Sequence, residues 1–284
     1  MIHRVFIACA VCVMSFAIGS ANSADYELDL HLHSEEVTPA EFGAGDALLP
    51  VVAAAKEIRP ADSALDFIGV TSGSSFWLLP KNQNPDVLFL SIGTEELNPA
   101  DFASSLTWSL VTVTGSGGGA APGYFSVWNS NSGSPWFSGV VPLMSTAPGA
   151  STPGSLTVAA GAHSHFNYGF TEPGLYNITF AASGTLSPAL GGGLVSGLAT
   201  YSFGVFDAGA DYQFPASTPW NYGGQSYSVA LVGNEHIDMG IGLAVVPEPA
   251  TGVSAVGALA VGCIALARRR GRQGLFFRRS QMAG

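Results

Sequence analysis

Cysteine is scarce in this chain and absent where a fold would use it. Of 284 residues only Cys9, Cys12 and Cys263 are cysteines, and all three lie in apolar terminal segments. The region between those segments is therefore expected to form no disulfide, and a metal site in it has to be built from imidazole and carboxylate ligands. Basic side chains are nearly missing as well. Residues 25–246 contain Lys56, Arg59 and Lys81 against nineteen acids, a formal charge of −16 (3 − 19). Such a surface repels phosphate, which excludes nucleic acid as a partner and leaves cations or basic surfaces as natural ones. The run Gly117-Gly118-Gly119 is followed by neither a helical pattern nor a lysine, so it is not a phosphate-binding loop.

The ends of the chain read as processing segments. Residues 1–4 are basic, 5–19 apolar and 20–24 small and polar, which is the pattern of a secretory signal peptide over 1–24, cut after Ala24 or Ala21. No cysteine stands at the cut, which argues against a lipoprotein. Near the other end, Pro247, Glu248 and Pro249 precede an apolar run over 250–267, followed by Arg268, Arg269, Arg270 and Arg272. As one transmembrane helix, that run would rise about 27 Å and just cross a bilayer core. The arginines would hold its end, and the tail 273–284, in the cytoplasm. Together these features over 247–272 resemble the PEP-CTERM sorting signal, which an exosortase processes in Gram-negative, exopolysaccharide-making bacteria. The resemblance implies an exported protein, held transiently in the inner membrane. After cleavage it would pass to the cell surface or extracellular matrix, among exopolysaccharide or other outer-surface components. A plain single-pass anchor is the alternative.

Between the ends, residues 25–246 amount to one domain. Apolar, strand-like runs recur at short intervals, over 26–34, 65–70, Ser75–Leu79, 87–92, Leu106–Thr114, 123–128, 137–143, 175–182, 199–207, 227–232 and 235–242, with period-two alternation cleanest in 26–34, 175–182 and 199–207. Spacers of Asn, Gly, Pro and Ser separate these runs. That is the signature of an all-β domain, an antiparallel β-sandwich of immunoglobulin-like type. Residues 46–58 suit a short helix, which Pro50 interrupts. Phe76, Trp77, Trp108, Trp128 and Trp136 are expected to pack in the core or on sheet faces rather than to form a ligand platform.

Five histidines lie outside the leader, grouped as His31 and His33, His163 and His165, and His236 with Asp238. In each group the residues are two apart, so a strand presents them on one face. In the stretch 161–184, Glu172-Pro173-Gly174 reads as a turn joining a strand with His163 and His165 to a return strand over 175–182, a β-hairpin. One H-x-H pair alone is more often a polar surface feature. Three such strands point to a metal site drawn from His31, His33, His163, His165, His236 and Asp238. Neutral imidazoles with a carboxylate suit Zn²⁺, and the lack of thiolates disfavours Cu(I).

His163, His165, Phe170, Pro173, Gly174 and Tyr176 also match the pattern H-x-H-x-x-W-x-F-t-x-P-G-x-Y, with Tyr168 at the usual Trp. In this the chain resembles the choice-of-anchor M domain of bacterial surface-anchored proteins, whose association with metal uptake implies a role in zinc handling. The piece from Glu235 to Gly240 resembles the G-H-x-D strand that opens the same domain, with Glu235 at the Gly. Here it comes last, as if the order were circularly permuted, which close chain ends would permit. The phrase from Asp29 to Ser34 resembles the opening motif of PHP-type metal-dependent phosphatases, whose helix-rich barrel the strand pattern does not fit. The leading expectation is therefore a non-enzymatic, exported zinc-binding protein. A purely structural or adhesive surface protein is the second reading, and a metal-dependent hydrolase the third.

Overall fold

A computed structural model describes residues 25–34, 36–37 and 40–246. The leader, the Pro247-Glu248-Pro249 motif, the apolar run 250–267 and the arginines after it lie outside the described residues. Among the described residues no helix is long and apolar enough to cross a membrane. They form an all-β structure in which the helical pieces are short 3-10 turns.

Three five-stranded sheets carry the fold. The first runs, in spatial order, His163–His165 (β11), Phe89–Gly93 (β6), His236–Val246 (β17), Asp25–Ser34 (β1) and Glu41–Gly43 (β2). The second runs Ser155–Val158 (β10), Leu106–Thr114 (β7), Gly174–Thr185 (β13), Leu194–Val205 (β14) and Leu48–Val51 (β3). The third runs Lys56–Ile58 (β4), Ser75–Leu79 (β5), Asn167–Phe170 (β12), Phe125–Asn129 (β8) and Val141–Ser145 (β9). A ribbon of Trp220–Tyr222 (β15) and Gln225–Tyr227 (β16) completes it. Most pairs are antiparallel, but β17–β6 and β14–β3 are parallel, so the sheets are mixed. Both parallel pairs join strands far apart in the chain, where no tight turn dictates direction.

One core joins the three sheets. Alternation in β1 turns Leu28, Leu30 and Leu32 inward, all buried, and β14 lies across them. A Cβ at Gly197 of β14 would stand 1.9 Å from the Leu28 carbonyl oxygen, so the two sheets meet there at backbone distance. Tyr201 Oη donates to the His31 carbonyl oxygen at 3.3 Å. Trp108, Phe180 and Tyr201 pack together below, and burying each such side chain contributes roughly 1.5–3 kcal/mol. Of the aromatics expected inside, Phe76, Trp77, Trp108 and Trp128 are buried; Trp136 is half-buried against Phe76 and Trp128.

Residues 227–232, read as a strand, hold only the end of β16 and an isolated bridge at Val229, and three further local readings need correction. The stretch 161–184 is not a hairpin: β11 pairs with β6, β12 with β5 and β8, and β13 with β14 and β7. Both arms carry inward aromatics, and Phe170 meets Tyr176 edge-on at 5.2 Å. The arms therefore face each other across the core instead of pairing side by side. Tyr176 Oη fixes the corner, donating to the Glu172 carbonyl at 2.8 Å and accepting from the Glu172 amide at 3.2 Å. Residues 65–70, read as a strand, lie largely in a 3-10 helix, Ser63–Ile68, capped by Asp62 and ended by Gly69 at φ +89°. The short helix considered over 46–58 is instead β3, a 3-10 turn (Ala53–Ala55) and β4.

Candidate metal centre

Register in the first sheet gathers the polar residues. Two rows cross its outer face. One row is His165, Ser91, Asp238, His33 and Glu41; the next is His163, Gly93, Gly240, His31 and Gly43. Between these rows the chain alternates to Ser164, Ile92, Met239, Leu32 and Phe42, of which the four apolar members are buried. Core burial thus fixes which residues face out, because a slip of one residue would invert every strand. Glycine at 93 and 240 leaves room above the sheet. A Cβ on Gly93 would stand 2.8 Å from Glu95 Oε2, and one on Gly240 would stand 2.3 Å from His31 Nε2. The space is a cavity of about 300 Å³, with His33, Glu95, Glu96, His163, His236 and Asp238 in its wall.

His163, His165 and His236 each offer a ring nitrogen within 4.8 Å of the others. His165 Nδ1 is 3.0 Å from the Leu90 carbonyl oxygen. A carbonyl only accepts, so Nδ1 carries the hydrogen and Nε2 a bare lone pair. His163 Nδ1 lies 2.5 Å from Glu95 Oε1, which sets the same tautomer. The two Nε2 atoms are 2.9 Å apart. Phe89 stacks on the His165 ring at 3.8 Å and 12°, holding it in place. Burial, reinforced by neighbouring His163 and His236, pushes the His165 imidazole down to about 4 against the opposing pull of its backbone bond. The ring is therefore neutral near pH 7, the form that can bind a metal.

Asp238 stands at the centre. Its Oδ1 accepts a short hydrogen bond from Ser91 Oγ and lies 3.1 Å from His236 Nε2 and 3.8 Å from His163 Nε2. The His236 contact is close but not aligned as a hydrogen bond, and that buried nitrogen has no hydrogen-bonding partner. His33 Nδ1 is 3.7 Å from Asp238 Oδ2.

The fold thus brings His163, His165, His236 and Asp238 together, with His33 at the margin. His31 stands apart from that group: its ring is buried over Gly240 and its Nε2 is 3.1 Å from Glu96 Oε1. Sequence reasoning missed Ser91, Phe89, Glu95 and Glu96. The adjacent acids directly after an alternating strand were the available signal, but nothing local places β6 between β11 and β17. The chain matches no family model, no curated protein and no solved structure.

Proposed function

We propose that this chain is an exported, non-enzymatic surface or matrix protein that binds zinc through His163, His165, His236 and Asp238. One observation carries the reading. With both rings neutral, the Nδ1 hydrogens of His163 and His165 are committed to oxygen acceptors and two imidazole lone pairs face each other 2.9 Å apart. Lone pairs that close repel unless a proton or a metal ion bridges them. Two ligands at about 2.1 Å on tetrahedral zinc stand about 3.4 Å apart, and the separations of 2.9, 3.1 and 3.8 Å in this group bracket that value. Glu95, the Leu90 carbonyl and Ser91 would be the outer groups that orient the ligands.

Three imidazoles and a carboxylate fill a tetrahedral zinc, which suits holding the ion rather than activating water. The PHP-like hydrolase reading also loses support, since it implied a helix-rich barrel. Export through the signal peptide, processing by exosortase and the choice-of-anchor M kinship rest on the sequence resemblances. The immunoglobulin-like form of the sandwich is part of the same reading, supported by sheets that face one another over a shared core.

The test is thermal melting of the purified full chain with excess zinc and with chelator. Zinc should raise the melting temperature by mass action, and most of that shift should vanish in the His163→Ala/His165→Ala chain. Identical melting of the wild type in both conditions would leave the histidines with a purely structural part, the adhesive-protein alternative.

A further inference from the structure

A second group of potential ligands lies on the same sheet face, centred on His31. Its Nε2 is 3.1 Å from Glu96 Oε1. A carboxylate accepts, so Nε2 carries the hydrogen, and in the neutral ring Nδ1 is left as a lone pair. The His31 side chain is 5% exposed, and its Nδ1 is buried with no hydrogen-bonding partner. A ring nitrogen of His31 lies with carboxylate oxygens of Asp29 and Glu41 inside a group spanning no more than 4.8 Å. Asp29 and His31 share a face of β1, and Glu41 reaches in from β2, where it pairs with His33. Glycine surrounds the ring on both sides: His31 is opposite Gly43 on β2 and Gly240 on β17, and Asp29 is opposite Gly242.

From this juxtaposition we infer a second divalent-cation site formed by Asp29, His31 and Glu41, distinct from the His163 centre. A buried imidazole nitrogen without a hydrogen-bonding partner, on a ring grouped with two carboxylates, is costly empty and favourable around a cation. Two carboxylates with one imidazole form a harder set than three imidazoles with one carboxylate, so this site admits Mn²⁺ as well as Zn²⁺, with Zn²⁺ held the more tightly. Glu96 is the positioning residue here, as Glu95 is at the first centre. The neighbouring acids Glu95 and Glu96 thus serve one histidine each, His163 and His31.

Equilibrium dialysis of the metal-stripped full chain against Zn²⁺, and separately Mn²⁺, tests the inference. The wild type should take up two equivalents of Zn²⁺, and Mn²⁺ should occupy the His31 site. Asp29→Asn/Glu41→Gln should bind one Zn²⁺ fewer and lose Mn²⁺ binding, while its far-UV spectrum stays unchanged because both side chains are exposed. Glu96→Ala should weaken the second equivalent about 10- to 100-fold. If Asp29→Asn/Glu41→Gln binds both metals as the wild type does, the second site does not exist. The two readings fail separately. Loss of all zinc in His163→Ala/His165→Ala, with no change in Asp29→Asn/Glu41→Gln, overturns only the second site. One equivalent in the wild type that only the Asp29/Glu41 substitutions remove overturns only the first.

Discussion

At the scale of single residues, His165 of the candidate centre and Glu235, next in the chain to His236, titrate with opposite effects on stability. Burial, then the nearby Glu36 carboxylate, pushes Glu235 from 4.5 up to about 7. The unfolded acid gives up its proton near 4.5 and the folded one only near 7, so this group makes stability fall as pH rises across that window. Burial pushes His165 from 6.5 down to about 4, and its sign is reversed. The unfolded imidazole takes a proton below 6.5 while the folded one stays neutral, so stability falls as pH drops from 6.5 towards 4. Glu235→Gln should therefore gain about 1–3 kcal/mol over wild type above pH 7 and nothing below pH 4.5. Urea unfolding of metal-free protein at several pH values measures it. A gain independent of pH would show that the carboxyl is not protonated in the fold.

Among the strands and turns, the closest joint is where β14 crosses β1. Gly197→Ala places a methyl group against the Leu28 carbonyl oxygen and Leu30 Cδ1 and should cost about 1–3 kcal/mol, with the denaturant slope unchanged. A loss below about 0.5 kcal/mol would mean that the sheets do not meet there. The elements themselves were legible to different degrees. Ser75–Leu79 and Leu106–Thr114 coincide with β5 and β7: β7 alternates over its first four residues, while β5 is a continuous apolar run buried on both faces. Residues 65–70 misled, since Leu65, Phe67 and Ile68 are as apolar as a strand. The cap Asp62 and the stop Gly69 were the better guides. The arch over 161–184 misled because Glu172-Pro173-Gly174 looks the same whether its arms pair or face each other. His163 and His165 were still placed correctly on one face, because period two survives either geometry. Their acceptors Glu95 and Leu90 belong to β6 and the turn after it, and that pairing is non-local.

At the scale of the described molecule, charge and the pairing of its first and last strands both bear on the site. Among the described residues each of the three lysines and arginines is engaged: Lys56 with Asp207 at 2.9 Å, Lys81 with Asn129 and the Ser130 carbonyl, and Arg59 with Asp66 and two backbone carbonyls. The excess of acids therefore has little to offset it and should raise the local concentration of cations. Pairing runs from Asp25 opposite Val246 to Ser34 opposite Ile237, so the first and last described strands lie side by side. That pairing sets His33 opposite Asp238. The central claim is that His163, His165, His236 and Asp238 hold zinc, and elemental analysis tests it most directly. The full chain and its His163→Ala/His165→Ala form would be purified side by side near neutral pH without chelator. The account predicts that the wild type carries one zinc ion per chain more than the variant, and that acidification through the imidazole range releases it. Equal metal content in the two proteins would contradict it.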